Sequence, residues 1–60
     1  MFSKTIQFDD GIVRTIEGKQ FNDEVRVYRV YGDMSDPDVF YNLAEKVSEL
    51  FKVTKVTLAI

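Results

Sequence analysis

At 60 residues, with neither Cys nor His, the chain forms one small domain that buries only about 60% of its unfolded surface. It has no disulfide and no thiolate or imidazole metal site to reinforce it, and self-association is the remaining support. A hydrophobic content of 45% with 30% charged residues excludes a disordered chain, and the net charge of −2 is the wrong sign for a nucleic-acid binder.

In chain order, Phe2 to Phe8 reads as a strand, with Phe2, Ile6 and Phe8 on one parity and Lys4 interrupting them. Asp9-Asp10-Gly11 reads as a tight turn, because Gly tolerates positive φ. Ile12 to Ile16 is the return strand. Ile12, Arg14 and Ile16 share one parity and Val13 and Thr15 the other, so its two faces are not cleanly distinguished. Glu17-Gly18-Lys19-Gln20 reads as a second turn. Glu24 to Tyr31, EVRVYRVY, is the strongest strand, rich in Val and Tyr. Its alternation slips between Val25/Val27 and Tyr28/Val30. Either a bulge sits near Val27-Tyr28 or both faces are partly covered.

The helix follows. Ser35 as N-cap would place Asp38 at the capping-box position. Asp36 as N-cap places Pro37 at the first helical position, where its missing N–H costs nothing. The second arrangement is preferred. In both, Asp36 and Asp38 sit at the positive end of the helix dipole. Phe40, Leu43, Ala44, Val47, Leu50 and Phe51 form an apolar stripe facing the sheet, with Tyr41, Glu45, Ser48 and Glu49 on a more exposed flank. Val53 to Ile60 closes the chain as a strand. The expected fold is α+β: a β-β-β-α-β antiparallel sheet with one helix packed on one face, and a homodimer to cover what one chain leaves open.

The function classes narrow next. Without the two most versatile nucleophile and general-base side chains, and with too little chain to wall a water-excluding pocket, an enzyme is not expected. Three scattered Gly form no phosphate loop, and the Asp spacings do not make a calcium loop, so no metal, cofactor or small-molecule substrate is expected. No signal peptide or membrane-length apolar run is visible, which points to the cytoplasm. Residues 33–49 hold Asp33, Asp36, Asp38, Glu45 and Glu49 against Lys46 alone, whereas residues 1–32 are balanced. Helix capping explains Asp36 and Asp38 by itself. The sharper reading is that they stand in for phosphates on a protein that occupies another protein's DNA cleft. Tyr41, off the stripe, is either a half-buried helix-edge residue or an interface aromatic.

Ser35-Asp36-Pro37-Asp38-Val39-Phe40-Tyr41 resembles the helix-opening motif of the small dimeric uracil-DNA glycosylase inhibitors of Bacillus phages: a Ser-Asp, an aromatic, an acid, two aliphatics and a Tyr. Asp10-Gly11 and Gly18-Lys19-Gln20-Phe21 are similar to upstream elements of that family at a different spacing. Pro37 stands where the family has an aromatic and Phe40 where it has an aliphatic, which leaves Phe40 or Tyr41 to supply the ring. The resemblance implies a DNA-mimicking homodimer. Its acidic groups enter the glycosylase's DNA-binding cleft, and its apolar dimer cavity receives the side chain that the enzyme inserts into DNA. It implies Asp38 and Tyr41 as contacts and Asp36 as a phosphate mimic. Pro37, Val39, Phe40, Glu24 and Glu45 complete the expected contact set. The expected partner is the host uracil-DNA glycosylase, in the host cytoplasm, with no nucleic acid and no membrane. Two other readings stand beside it. One is a phage protein that antagonises another host DNA-binding protein. The other is a small single-stranded nucleic-acid binder that uses Arg26, Tyr28, Arg29 and Tyr31.

Overall fold

The computed structural model describes all residues, Met1–Ile60. Four strands form one sheet in the order β1-β2-β3-β4: β1 is Phe2–Gln7, β2 Val13–Gln20, β3 Glu24–Tyr31 and β4 Lys55–Leu58. Helix α1, Asp38–Phe51, connects β3 to β4 and covers one face. No helix is long and apolar enough to cross a membrane.

The first hairpin forms as the Asp-Gly turn requires. Gly11 takes φ 83°, its N–H bonds the Phe8 carbonyl at 2.9 Å, and the Phe8 N–H bonds the Ile12 carbonyl at 3.0 Å. The second turn departs from the expected position. Glu17 to Gln20 remain in β2, and the chain reverses through Phe21-Asn22-Asp23 instead, closed by Phe21 N–H to the Glu24 carbonyl at 2.7 Å. Gly18 is in the strand because two backbones approach closely there: a Cβ would lie 2.0 Å from the Arg26 carbonyl oxygen. The pairing of β2 with β3 shifts register at Glu17/Gly18. Glu17 lies opposite Arg29 and Gly18 opposite Val27, so Tyr28 is the extra residue of a bulge. That resolves the slipped alternation, because Val25, Val27 and Val30 now share the face that the helix covers.

β1–β2 and β2–β3 are antiparallel as expected, but β4 joins β3 in parallel, Glu24 opposite Lys55 and Val27 opposite Leu58. The helix carries the chain back along the sheet, so the next strand starts where β3 started. The sheet is therefore mixed.

The core consists of Phe8, Ile16, Val25, Val27, Val39, Leu43, Val47 and Val53, with Phe2 packed against Phe51 at 4.6 Å between ring centroids, the rings tilted by 43°. Burying each such aliphatic stabilises the fold by about 2 kcal/mol. The inward face of α1 runs Val39, Leu43, Val47, with Phe51 packed against the core at its C-terminal end; the expected stripe holds at Leu43, Val47 and Phe51, while Phe40 and Leu50 lie outside the core. Adjacent helical positions point about 100° apart, and Val39 takes the first-turn place against the sheet while Phe40 remains 37% exposed. Leu50 overhangs β1 beside Thr5, Ile6 and Lys46, half exposed. The helix ends at Lys52, which adopts the left-handed conformation, φ 55°.

Candidate functional site

The start of α1 meets the first hairpin turn at one end of the sheet. Asp36 Oδ1 accepts the Asp38 N–H at 3.0 Å, and Pro37 already has helical angles, φ −56° and ψ −31°. Asp36 thus satisfies the N–H of the first residue of α1, while Pro37 stands one position earlier than expected, at the N-cap and not inside the helix. The Val39 N–H reaches the Asp36 carbonyl at 3.0 Å, which ties Asp36 to the first turn.

Two contacts fasten this end to the β1–β2 turn. The Asp9 N–H donates to Asn42 Oδ1 at 3.0 Å, and Asn42 Nδ2 returns a bond to Asp9 Oδ2 at 2.9 Å. Lys46 Nζ lies 2.8 Å from Asp9 Oδ1. The second fastening is Arg14, 2% exposed. Its Nη1 and Nη2 donate to the two Asp10 oxygens at 3.2 and 2.9 Å, and its Nε donates to the Asp33 carbonyl at 2.7 Å. The guanidinium stacks 4.6 Å from the centroid of Phe8, and its stem packs under Gly32, where a Cβ would be 2.8 Å from Arg14 Cγ. One buried cation thereby joins the turn after β1 to the loop after β3.

Asp9, Asp10, Asp36, Asp38, Val39 and Asn42 line a shallow depression of about 290 Å³. The Lys46 ammonium holds the Asp9 carboxyl below its usual range, the Arg14 guanidinium does so for Asp10, and the Ser35 backbone N–H does so for Asp33. These groups stay ionised throughout the neutral range. Asp36 and Asp38 have no ion-pair partner. The result is a fixed anionic surface, with no group of acids converging as metal ligands do.

Of the eight contact residues expected, Asp36, Pro37 and Asp38 lie exposed together at this end. Tyr41 is 79% exposed, and Glu45 is exposed one turn further along the same side. Phe40 is outside the core rather than in it, at the margin of the surface. Val39 is a correction: it is 8% exposed and belongs to the core, touching the depression only as floor. Glu24 is also elsewhere. It begins β3, on the sheet face away from the helix, and accepts from Thr57 Oγ1 at 2.7 Å and Arg26 Nε at 3.3 Å.

Asp9, Asp10, Asn42 and Arg14 are members of the site that the sequence reading did not include. Asp9 and Asp10 are accounted for locally by the turn, which hides their second role. Arg14 carried a usable signal: a cation on the same parity as Ile16 must bring partners if that parity faces inward. Compared with family models, with curated proteins and with solved structures, the chain matches none.

Proposed function

We propose that this protein is a non-catalytic inhibitor of host uracil-DNA glycosylase that fills the enzyme's DNA-binding cleft as a homodimer. The observation that carries the reading is the joining of two acidic loops. Asp9 and Asp10 from one turn and Asp36 and Asp38 from the helix start surround a single depression, although 26 to 29 residues separate them in sequence. Carboxylates held in place by Arg14, Asn42 and the helix start offer an enzyme the fixed negative charges that it otherwise meets on a phosphate backbone. Tyr41 beside them is the kind of exposed aromatic that anchors an interface. Phe40, free of the core, offers the ring that Pro37 does not.

In this reading the acids give electrostatic steering and register, the aromatics give affinity, and an apolar cavity between two copies takes the side chain that the enzyme normally drives into DNA. The phage gains protection of uracil in its DNA. The test is a uracil-excision assay with purified glycosylase and rising amounts of this protein. Inhibition titrating at about one dimer per enzyme is expected, and full activity in molar excess overturns the proposal.

A further inference from the structure

The sheet face that the helix leaves open sorts charge in a way that the linear sequence conceals. In a regular strand, Arg26 and Arg29 would point to opposite faces. The bulge at Tyr28 puts both outside, Arg26 opposite Lys19 and Arg29 opposite Glu17. On the adjoining strand Lys55 lies opposite Glu24. The face therefore carries Lys19, Arg26, Arg29 and Lys55 against Glu17 and Glu24, in a chain whose net charge is −2.

The donors are available. Arg26 gives one N–H within the protein, Nε to Glu24 at 3.3 Å, and Arg29 gives one, Nη1 to the Tyr31 hydroxyl at 3.2 Å. A guanidinium has five. Each guanidinium also has a ring beside it. Arg26 lies 4.8 Å from the Phe21 centroid and Arg29 5.8 Å from that of Tyr31, and these rings are 46% and 47% exposed. The Tyr31 hydroxyl donates to Glu17 at 3.2 Å, which fixes its ring on the sheet. Exposed rings next to cations on a rigid sheet suit an unstacked base and its phosphate. By register with β2 the two pairs are centred about 13 Å apart, room for a short single strand on the order of three nucleotides.

We infer that the open sheet face binds single-stranded nucleic acid, stacking bases on Phe21, Tyr28 and Tyr31 and taking phosphates on Lys19, Arg26, Arg29 and Lys55. This site is separate from the acidic end of the helix. It departs from the expectation of no nucleic-acid partner, which rested on charge counted along the chain and not by face. A duplex, whose bases are already stacked, gains nothing from the rings.

The test is fluorescence anisotropy of the intact protein with labelled oligothymidylate and oligouridylate of about twelve nucleotides. A duplex of equal length and a base-free polyanion serve as controls. Saturable binding to either single strand is expected, and the ratio of the two distinguishes DNA from RNA as the natural ligand. Four phosphate contacts give a log–log salt slope of about −3, a loss of roughly fiftyfold between about 50 and 200 mM salt. The Arg26→Gln, Arg29→Gln double variant halves that slope, and Lys19→Gln with Lys55→Gln does the same by a second route. Tyr31→Leu weakens binding on the order of tenfold at unchanged slope. The inference is overturned if no saturable binding occurs, if the duplex or the base-free polyanion binds as tightly, or if the variants bind unchanged.

Discussion

Arg14 lies 2.9 Å from Asp10 in an asymmetric pair: the arginine side chain is 2% exposed and the aspartate 38%. Losing the aspartate leaves a buried guanidinium uncompensated, whereas losing the arginine leaves a carboxylate that water can reach. Arg14→Met keeps an apolar stem under Gly32 and costs about 2 kcal/mol through lost hydrogen bonds. Asp10→Ala costs more than Arg14→Met. Urea midpoints of the two variants check the order, and the reverse order contradicts the burial of the charge.

Below neutrality, stability falls as the partnered carboxylates gain protons. Asp9, Asp10, Asp23, Glu24 and Asp33 are all held below their ordinary values by Lys46, Arg14, Thr54, Thr57 and the Ser35 N–H respectively. A folded-state pKa below the unfolded one contributes stability in full above the unfolded value, 3.8 for Asp and 4.5 for Glu. That contribution disappears as pH drops through the lowered value. Thermal unfolding followed across pH is expected to show a level Tm from about pH 7 to 5 and a decline below about pH 4. Arg14→Met makes the decline shallower, since Asp10 then loses its first cause. A Tm that rises on acidification contradicts this.

Within the helix start, three neighbouring positions separate contact from core. Tyr41→Ala and Asp38→Ala touch exposed side chains, so they leave stability within about 0.5 kcal/mol. At an interface hot spot, Tyr41→Ala weakens glycosylase inhibition by about thirtyfold, equivalent to about 2 kcal/mol. Val39→Ala instead opens a cavity beside Leu43 and costs about 2 kcal/mol of stability. Inhibition and denaturant titrations on the same three proteins test the division. If Tyr41→Ala and Asp38→Ala both inhibit normally, this end of the helix is not the contact surface.

Gly18→Ala destabilises the fold by roughly 3 kcal/mol. Its Cβ would meet the Arg26 carbonyl oxygen at 2.0 Å, and backbone yields far less than a flexible side chain. The residue is buried in mid-strand. A Tm equal to the parent's would show that the two strands can separate there at no cost.

Sedimentation at micromolar concentration is expected to give a mass twice that of one chain. A stable monomer removes the cavity on which the proposed capture of an inserted side chain depends.

Local chemistry made some features readable in the sequence. Asp10-Gly11 and Asp36-Pro37 each demand one backbone geometry, and both adopt it. The break in alternation at Val27-Tyr28 was visible as a break, and the register shift resolves it as a bulge. Gly18 reads as a turn residue in the sequence because a glycine needed for close approach looks like a glycine needed for turning. The direction of β4 depends on how the helix crosses the sheet, which no residue within β4 encodes. Asp9 reaches Asn42 and Lys46 across a separation that no local pattern spans. Half of the acidic surface was therefore legible as a helix cap, and the other half only as a turn.

Lys4 is paired by register with Ile16, which places it on the helix-covered parity of an outermost strand, yet it remains exposed. At the opposite border β4 is only four residues long. A neighbouring molecule that tried to extend the sheet would have to desolvate that ammonium on one side, and would find too few amide groups on the other. Fibre growth by edge-to-edge stacking is thus discouraged at both borders. Any second copy is therefore steered toward contact through side chains on a face, and the folded chain can reach high concentration without templating its own precipitation.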